Sequence, residues 1–241
     1  MKSKRSHHSL PQASLKFFLR KSMGALVLAI LLAFIVRVFV VSAYRIPTLA
    51  MLPALLPGDF IFGYKLPYGL PLPFSKGVKL GGKLPERGEV VIFRCPYDLG
   101  ISCIKRVIGL PGDRVEIRGN RLILNGKAAH YEKVEDKELT KYNLGELGTV
   151  VEEGLGDFHH RVLIGSRQEK ENYGPLIVLP GQLFVLSDNR REGEDSRKWG
   201  LISAQSLEAR ASVIWLSLGR EEGDRGFWST LRWPRILQSV D

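Results

Sequence analysis

The sequence predicts a mostly β domain that follows a single membrane-spanning helix. One apolar segment near the N-terminus is long enough to cross a bilayer. Short β-branched and aromatic runs, separated by Gly- and Pro-rich turns, fill the rest of the chain. The protein has 241 residues, 44% of them hydrophobic, which suffices for one sizeable core with an appended subdomain. We expect antiparallel sheets that cross each other or form a partly open barrel.

The apolar segment runs from Met23 to Val41 and is interrupted by Arg37. A spanning helix needs about 20 mostly apolar residues, and an arginine one turn from the end can extend its stem to the headgroups. The first 21 residues carry six basic and no acidic side chains, so the positive-inside rule keeps this tail cytoplasmic. A cleaved secretory signal with a small-x-small site at Val41-Ser42-Ala43 fits the same pattern.

The formal net charge of +10 is concentrated in that tail. The other 220 residues hold 29 basic and 25 acidic residues. No helix-turn-helix, zinc or RNA-recognition pattern accompanies them. We therefore expect no nucleic-acid partner.

The two cysteines, Cys95 and Cys103, lie eight positions apart. They form neither a C-x-x-C pair nor a zinc quartet. We predict no metal and no cofactor. Two half-buried thiols fit this spacing, and so does a disulfide that closes a hairpin if the domain is exported to an oxidising compartment.

Strand character is strongest in short runs bounded by turn residues. These predicted strands lie at 59–64, 89–94, 104–109, 114–117, 121–124, 176–179, 183–186 and 211–216. Gly119-Asn120 and Asn125-Gly126 bracket one run and predict a hairpin. The Pro-, Gly- and Lys-rich stretch 66–87 predicts a long exposed loop. The charged, weakly periodic segment 131–174 predicts a peripheral excursion with a few strands.

Three patches carry the functional signal, and their order is more specific than any one of them. They are IPTLAMLPALLPGD at 46–59, KRVIGLPGD at 105–113, and SDNR at 187–190 followed by DSR at 195–197. In this order they closely resemble the signature boxes of signal peptidase I (leader peptidase), in its Gram-negative form. The resemblance extends from the apolar segment to about Trp215. Because the family retains the segment before the first box, it favours an anchor over cleavage after Ala43.

The resemblance implies a membrane-bound serine endopeptidase of the Ser/Lys dyad type, a hydrolase that removes N-terminal signal peptides from exported preproteins. Its fold is a single transmembrane helix followed by a catalytic domain of antiparallel sheets with an inserted β subdomain. Mapped on this chain, it places a cytoplasmic basic tail at 1–21, a transmembrane helix at 22–43, the catalytic β domain at 44–118 and 176–241, and a β-rich cap subdomain at 119–175.

The same resemblance implies a location and a set of partners. The protein would cross the bacterial inner (plasma) membrane once, with the N-terminus cytoplasmic and the catalytic domain on the outer, periplasmic side. Its partners would be the signal peptides of exported preproteins and the lipid bilayer, with the secretion translocon as a further candidate.

The family's chemistry needs a serine nucleophile and a lysine base. A serine hydroxyl is a weak nucleophile without a base in hydrogen-bond reach, and a lysine can serve only if burial lowers its pKa from about 10.4 toward neutrality. Lys105 matches this general base, and its apolar surroundings between Ile104 and Val107 could bury it. Without the flanking patches, a strand lysine facing water would be the ordinary interpretation.

The nucleophile position holds Ala50, where the family has Ser-x-Ser-Met. A methyl group cannot attack a carbonyl. Thr48 matches the residue whose hydroxyl lines the oxyanion hole beside the N–H of position 50, so both donors are expected to survive. Thr48 lies about 6–7 Å away along an extended chain, too far to replace the nucleophile.

Loss of the nucleophile removes about six orders of magnitude of turnover in serine proteases. We therefore predict that the chain with Ala50 is inactive or severely impaired. A laboratory substitution that traps substrate and a naturally inactive paralogue both account for the alanine.

The third patch is predicted to support the lysine strand. By resemblance, Asp195 and Arg197 pair and hold that strand in place, and Asp188-Asn189-Arg190 form a turn beside the active site. The supporting residues are Asp188, Asn189, Arg190, Asp195, Ser196 and Arg197. Two departures accompany them. Ser187 replaces a glycine, and Gly193 falls where many members have a serine that orients the ammonium, so Lys105 is expected to be held less tightly than usual.

The resemblance also implies how substrate binds. Family members take the preprotein as an added β-strand, with shallow apolar pockets for small side chains at positions −1 and −3. The −1 pocket would be lined by Ile46, Pro47, Met51, Leu55 and Ile104, and the −3 pocket by Tyr44, Ile46, Ile61 and Ile104. Taken without the resemblance, most of these would be assigned to the core.

Other functions remain as alternatives. The first is a non-catalytic paralogue that binds signal peptides, or a partner of an active peptidase. A membrane-tethered β domain without a peptide role, a conjugation-type peptidase and a self-cleaving repressor of the same dyad type are further candidates. The membrane anchor argues against the repressor.

Overall fold

The computed structural model divides into two compact units, Met1–Val40 and Val41–Asp241. It describes residues 12–71, 79–142, 144–156, 158–165, 171–191, 194–219 and 231–240, with the backbone alone at 12–21 and at 71. Most of the predicted basic tail therefore lies outside the described residues.

The first unit contains helix α1, Gln12–Phe39. Its 18-residue stretch Ser22–Phe39 is, in the described part of the chain, the one helical segment long and apolar enough to cross a membrane. The helix ends before the predicted boundary at residue 43. The β-branched and aromatic residues that follow favour a strand, and Val41–Arg45 pairs with a neighbouring strand instead.

The second unit is mostly β, as predicted. Among the described residues its strands are β1 Val41–Arg45, β2 Asp59–Tyr64, β3 Leu70–Pro71, β4 Lys79–Leu80, β5 Val90–Arg94, β6 Ser102–Gly109, β7 Arg114–Arg118, β8 Arg121–Leu124, β9 Lys127–Ala128, β10 His130–Lys133, β11 Thr149–Leu155, β12 Phe158–Ile164, β13 Tyr173–Ile177, β14 Gln182–Leu186, β15 Ile202–Ser203 and β16 Leu207–Ser217. Two short helices accompany them, α2 Lys137–Lys141 and α3 Ser196–Trp199.

The largest sheet has seven strands in the order β1-β2-β16-β5-β6-β14-β15, and its neighbouring strands pair antiparallel. A four-stranded sheet has the order β13-β7-β8-β9, a three-stranded sheet the order β10-β11-β12, and β3 pairs with β4. The architecture confirms the predicted antiparallel β fold. The division into a catalytic domain and a cap at 119–175 stays a prediction.

The strand predictions hold best where turn residues bound an alternating run. β2 and β8 have the predicted bounds. β13 ends at Ile177, earlier than predicted, because the next residue bonds to a turn. The Val178 N–H donates to Asp113 O at 2.8 Å and the Val178 carbonyl accepts from Gly112 N at 2.9 Å.

Part of the predicted exposed loop at 66–87 is anchored to the core. Tyr68 is buried, and its hydroxyl donates to Glu89 Oε2 at 2.7 Å. The Lys83 N–H donates to Pro67 O at 2.7 Å, next to the β3–β4 pair. The prediction of an exposed loop outside the core is therefore wrong at Tyr68, whereas most other described residues of this segment are exposed.

The segment predicted as a peripheral excursion packs directly under the first patch. Its residues Leu139, Val150 and Leu163 share a buried apolar cluster with Leu52 and Leu56. This contact gives the segment a role in positioning residues 46–59, which the weak periodicity of its sequence did not reveal.

Cys95 and Cys103 form a disulfide. They close the β5–β6 hairpin, in which Phe93 pairs with Cys103. Of the two interpretations of these cysteines, the structure contains the disulfide.

Candidate active site

The loop that carries position 50 connects β1 to β2 and is closed at its base. Its first and last residues bond to each other, since Gly58 N–H donates to Ile46 O at 2.8 Å. Gly58 has a φ of 90°, and a Cβ there would lie 2.1 Å from Leu218 O. Only glycine fits this close approach, so the PGD turn of the first patch fixes where the loop ends.

Ala50 is bound to the third patch. Its side chain is buried, and its carbonyl accepts a hydrogen bond from Asn189 N at 3.0 Å. The Asn189 amide donates in turn to Leu49 O at 3.1 Å. Two hydrogen bonds from one asparagine therefore hold the loop at the predicted nucleophile position.

Lys105 is bound to the same patch from the other side. It is 4% exposed on strand β6, and its Nζ donates to Ser187 Oγ at 2.8 Å. We expected Lys105 to be held less tightly than usual, in part because Ser187 replaces a glycine, yet the Ser187 hydroxyl accepts this hydrogen bond from the amine. Gly193, where the resemblance places the usual serine, lies outside the described residues.

The segment 187–190 thus joins the three patches. Ser187 and Asn189 are two residues apart in sequence, so their Cα atoms are at most about 7 Å apart. One contacts the Lys105 amine and the other the Ala50 carbonyl. One short segment therefore contacts both the predicted base and the predicted nucleophile position.

Two hydrogen-bond donors near position 50 are available. Within the described residues, neither the Ala50 N–H nor the Thr48 hydroxyl has a hydrogen-bond partner, and Thr48 is exposed. No group of three or more His, Cys, Asp or Glu in that part of the chain could hold a metal ion. The chemical groups that the site presents are an amine, hydroxyls and backbone N–H groups.

A buried ion pair fixes the segment to the lysine strand. Arg106 Nε donates to Asp188 Oδ1 at 2.8 Å and Nη2 to Oδ2 at 2.7 Å, and both side chains are 1% exposed. Such a bidentate pair has a defined geometry as well as strength. We did not predict this pair, because nothing in the sequence indicates which carboxylate a strand arginine will meet.

A second buried pair connects the segment to the excursion. Arg190 donates through Nη1 to Glu153 Oε2 at 2.9 Å, and its Nε donates to Ser187 O at 3.0 Å. Burial alone would lower the pKa of Arg190, but the charge of Glu153 outweighs it and the pKa is raised. His160 lies beside this pair, with Nε2 3.4 Å from Glu153 Oε1. Burial, followed by the charges of Arg106 and Arg190, lowers the pKa of His160 well below its ordinary value, so the ring is neutral.

The third pair is the predicted one. Arg197 donates to both carboxylate oxygens of Asp195, at 2.9 and 2.8 Å, and Asp195 Oδ2 also accepts from Ser187 N at 3.0 Å. Burial raises the pKa of Asp195, but the hydrogen bonds from Arg197 outweigh it and keep the pKa below its usual range. Next to this pair, Ser196 Oγ accepts from Val185 N at 2.9 Å.

We expect Asp188→Ala to lower the free energy of unfolding by about 3–5 kcal/mol, because removal of one partner leaves the buried Arg106 charge without its carboxylate. Chemical unfolding of the full chain in detergent, followed by circular dichroism, measures the loss. The control is the double variant Asp188→Leu with Arg106→Met, which replaces both charges by apolar side chains and should recover most of the stability. A loss below about 1 kcal/mol in the single variant would mean that water reaches Arg106.

Six of the seven predicted pocket residues lie together. Ile46, Met51, Leu55 and Ile61 are buried in one apolar cluster, and Tyr44 and Ile104 pack against it partly buried. Pro47 is exposed and is not part of that cluster. Burial, with a smaller contribution from the charge of Glu208, raises the pKa of Tyr44 to about 12, so its hydroxyl stays neutral.

Comparison with known proteins places the chain in a family. The family described as Signal peptidase, peptidase S26, matches residues 19–216. The signal peptidase I of Pseudomonas fluorescens is 34% identical over 76% of this chain and 67% of its own length. The signal peptidase I of Rickettsia typhi is 30% identical over 82% of this chain and 80% of its own length. The signal peptidase I of Buchnera aphidicola subsp. Baizongia pistaciae is 29% identical over 87% of this chain and 78% of its own length. The chain therefore belongs to the signal peptidase I family.

A crystal structure of a signal peptidase I from Enterococcus faecalis also matches. The match covers 53% of this chain and 97% of the Enterococcus faecalis chain, with 26% sequence identity and a TM-score of 0.35.

Proposed function

We propose that this protein is a membrane-bound signal peptidase I scaffold that binds signal peptides of exported preproteins and, with Ala50 at the nucleophile position, does not cleave them. The observation that carries the proposal is the segment 187–190, which contacts the Lys105 amine through Ser187 and the Ala50 carbonyl through Asn189. Signal peptidase I relatives give the substrate class.

Each group has a role in the proposed chemistry. Lys105 is the general base, buried where a hydrolytic water or a serine hydroxyl at position 50 would meet it. The Ala50 N–H and the Thr48 hydroxyl are the oxyanion donors, which stabilise charge as it develops on the scissile carbonyl. These groups do not depend on the side chain at position 50. The chain would therefore bind a substrate that it does not cleave.

The apolar cluster would recognise the residues before the cleavage site. Tyr44 and Ile104 are only partly buried and would form the walls of the pockets, while Met51 and Ile61 are fully buried and would form their floor. Pockets with partly buried walls and such a floor would be shallow and would accept small side chains only. The exposed Pro47 would contact the peptide at the rim.

The anchor sets the location that we propose. The apolar stretch Ser22–Phe39 would cross the bacterial inner membrane once, with the basic tail in the cytoplasm and residues from Val41 onward on the periplasmic side. There the domain would meet the bilayer, preproteins and the secretion translocon. The Cys95–Cys103 disulfide supports an oxidising compartment.

Binding of a synthetic signal peptide to the full chain in detergent tests the proposal. We expect saturable binding of a peptide with alanine at −1 and −3, measured by fluorescence anisotropy, and at least about 10-fold weaker binding when leucine replaces both, because larger side chains do not fit the pockets. Ile104→Trp should fill the pockets and abolish binding. Ile177→Trp is the matched control, since Ile177 is 60% exposed on a strand outside the site. Equal binding of both peptides would contradict the proposed pockets.

Ala50 also favours a second function. A non-catalytic paralogue would capture signal peptides, or act as partner of an active peptidase, without needing a nucleophile. Both functions predict the same binding. They differ in what happens when a serine is introduced at position 50.

A further inference from the structure

The contact between Lys105 and Ser187 lies in the interior of the domain. Ser187 is 0% exposed and Lys105 4% exposed, and the Nζ–Oγ distance is 2.8 Å. A hydrogen bond from an amine that is withdrawn from water is worth more than the same bond at the surface, because water does not compete for it. The hydroxyl therefore has a strong influence on where the amine points.

The sheet itself places these two side chains side by side. Strands β14 and β6 pair antiparallel with Leu186 opposite Arg106, so the next step along both chains puts Ser187 opposite Lys105. Residues directly opposite each other in an antiparallel pair project to the same face. The contact follows from the register of two central strands and not from a mobile loop.

The backbone of Ser187 is held at both ends. Its N–H donates to Asp195 Oδ2 at 3.0 Å, and its carbonyl accepts from Arg190 Nε at 3.0 Å. Both partners are themselves in buried ion pairs, with Arg197 and Glu153 respectively. The serine hydroxyl is therefore presented to Lys105 from a fixed position, as a preorganised site requires.

Ser187 is poorly placed to be a nucleophile itself. A near-attack geometry needs the hydroxyl about 3–3.5 Å from the substrate carbonyl carbon. Ser187 is fully buried and already accepts a bond from the amine, so a peptide has no access to its oxygen. Its chemistry is confined to Lys105.

We infer that Ser187 is the positioning residue for Lys105: its hydroxyl orients the amine toward position 50. The consequence for catalysis rests on the proposed function, whereas the effect on Lys105 itself does not. The two are therefore tested separately.

The first experiment uses the chain with Ala50 and measures Lys105 alone. Trace labelling with acetic anhydride, quantified by peptide mass spectrometry, reports how reactive each amine is. Ser187→Ala should raise the labelling rate of Lys105 about 10-fold relative to the exposed Lys127, because the hydroxyl that stabilises the charged amine is lost. Ser187→Thr keeps a hydroxyl and should restore the original rate.

Ser217→Ala is the matched control. Ser217 is also fully buried, and its hydroxyl donates to Asp59 Oδ1 at 2.6 Å, so this variant loses a buried hydrogen bond without touching Lys105. It should leave the labelling of Lys105 unchanged. An unchanged rate in Ser187→Ala, or an equal rise in Ser217→Ala, would overturn the inference, whether or not the protein is a peptidase.

The second experiment repeats Ser187→Ala in the Ala50→Ser background. We expect kcat for a preprotein to fall by up to about 100-fold with KM unchanged, because a misplaced base affects chemistry and not binding. The acid limb of the pH profile should move to lower pH, since the charged amine is no longer stabilised. A change confined to KM would contradict a positioning role. If Ala50→Ser shows no cleavage, the peptidase part of the proposed function fails, and the labelling result still decides the role of Ser187.

Discussion

Ala50→Ser is expected to convert this chain into a working signal peptidase. The substitution adds one hydroxyl where the Ala50 carbonyl already accepts from Asn189 and where the proposed oxyanion donors have no partner among the described residues. Loss of a serine nucleophile costs about six orders of magnitude in turnover, so its restoration should give a gain of that order over the Ala50 chain. Cleavage of a purified preprotein with an Ala-x-Ala site, followed by gel electrophoresis and mass spectrometry of the new N-terminus, measures it.

Ala54→Ser is the matched control for this prediction. It adds a hydroxyl to the same loop, at a partly buried position away from the Asn189 contact, and should remain inactive. Cleavage by neither serine variant would contradict the peptidase function and favour a signal-peptide-binding protein. Cleavage by the Ala50 chain itself would show that position 50 is not where the nucleophile belongs.

The β fold was predictable because its turns are marked in the sequence. Pro57-Gly58 precedes β2, and Gly119-Asn120 and Asn125-Gly126 bracket β8, so these strands have the predicted bounds. The predicted end of the membrane helix rested on apolar composition alone, without a turn residue, and that prediction is wrong. The apolar segment resumes after Arg37 and continues through Val41, and nothing in it shows that β1 begins there by pairing with β2.

The site could be located from its motifs but not explained by them. The three patches meet through residues 187–190, yet two of the three buried pairs that hold this segment are formed by residues far apart in sequence. Arg106 and Asp188 are separated by 82 positions, and Glu153 and Arg190 by 37. A single sequence contains no signal for such pairings, because any exposed or buried carboxylate could have been the partner.

The same limit applies to Ser187. As a departure from the usual motif, it suggested a weakly held Lys105. Only the register of β6 and β14 shows that the substituted side chain points at the amine. The serine at position 187 departs from the family motif, yet in the fold its hydroxyl contacts the Lys105 amine.

In the Ala50→Ser background, Lys105→Met should return cleavage to the level of the Ala50 chain, a loss again of about six orders of magnitude. Methionine has nearly the length and volume of the lysine stem, so the packing of the buried side chain is preserved while the base is removed. In serine proteases, removal of the base alone costs about as much as removal of the whole catalytic unit. Lys105→Arg should be equally inactive, because a guanidinium stays charged and cannot accept the serine proton.

Lys127→Met controls for the loss of a lysine, since Lys127 is exposed on β9, and should cleave at the full rate. Binding of the alanine-containing signal peptide should be unchanged in Lys105→Met, because the amine does not belong to the apolar cluster that would hold positions −1 and −3. If Lys105→Met kept more than about 1% of the activity, a different base would have to act at position 50. If it lost peptide binding as well, Lys105 would belong to the groove, and the proposed separation of binding from chemistry would fail.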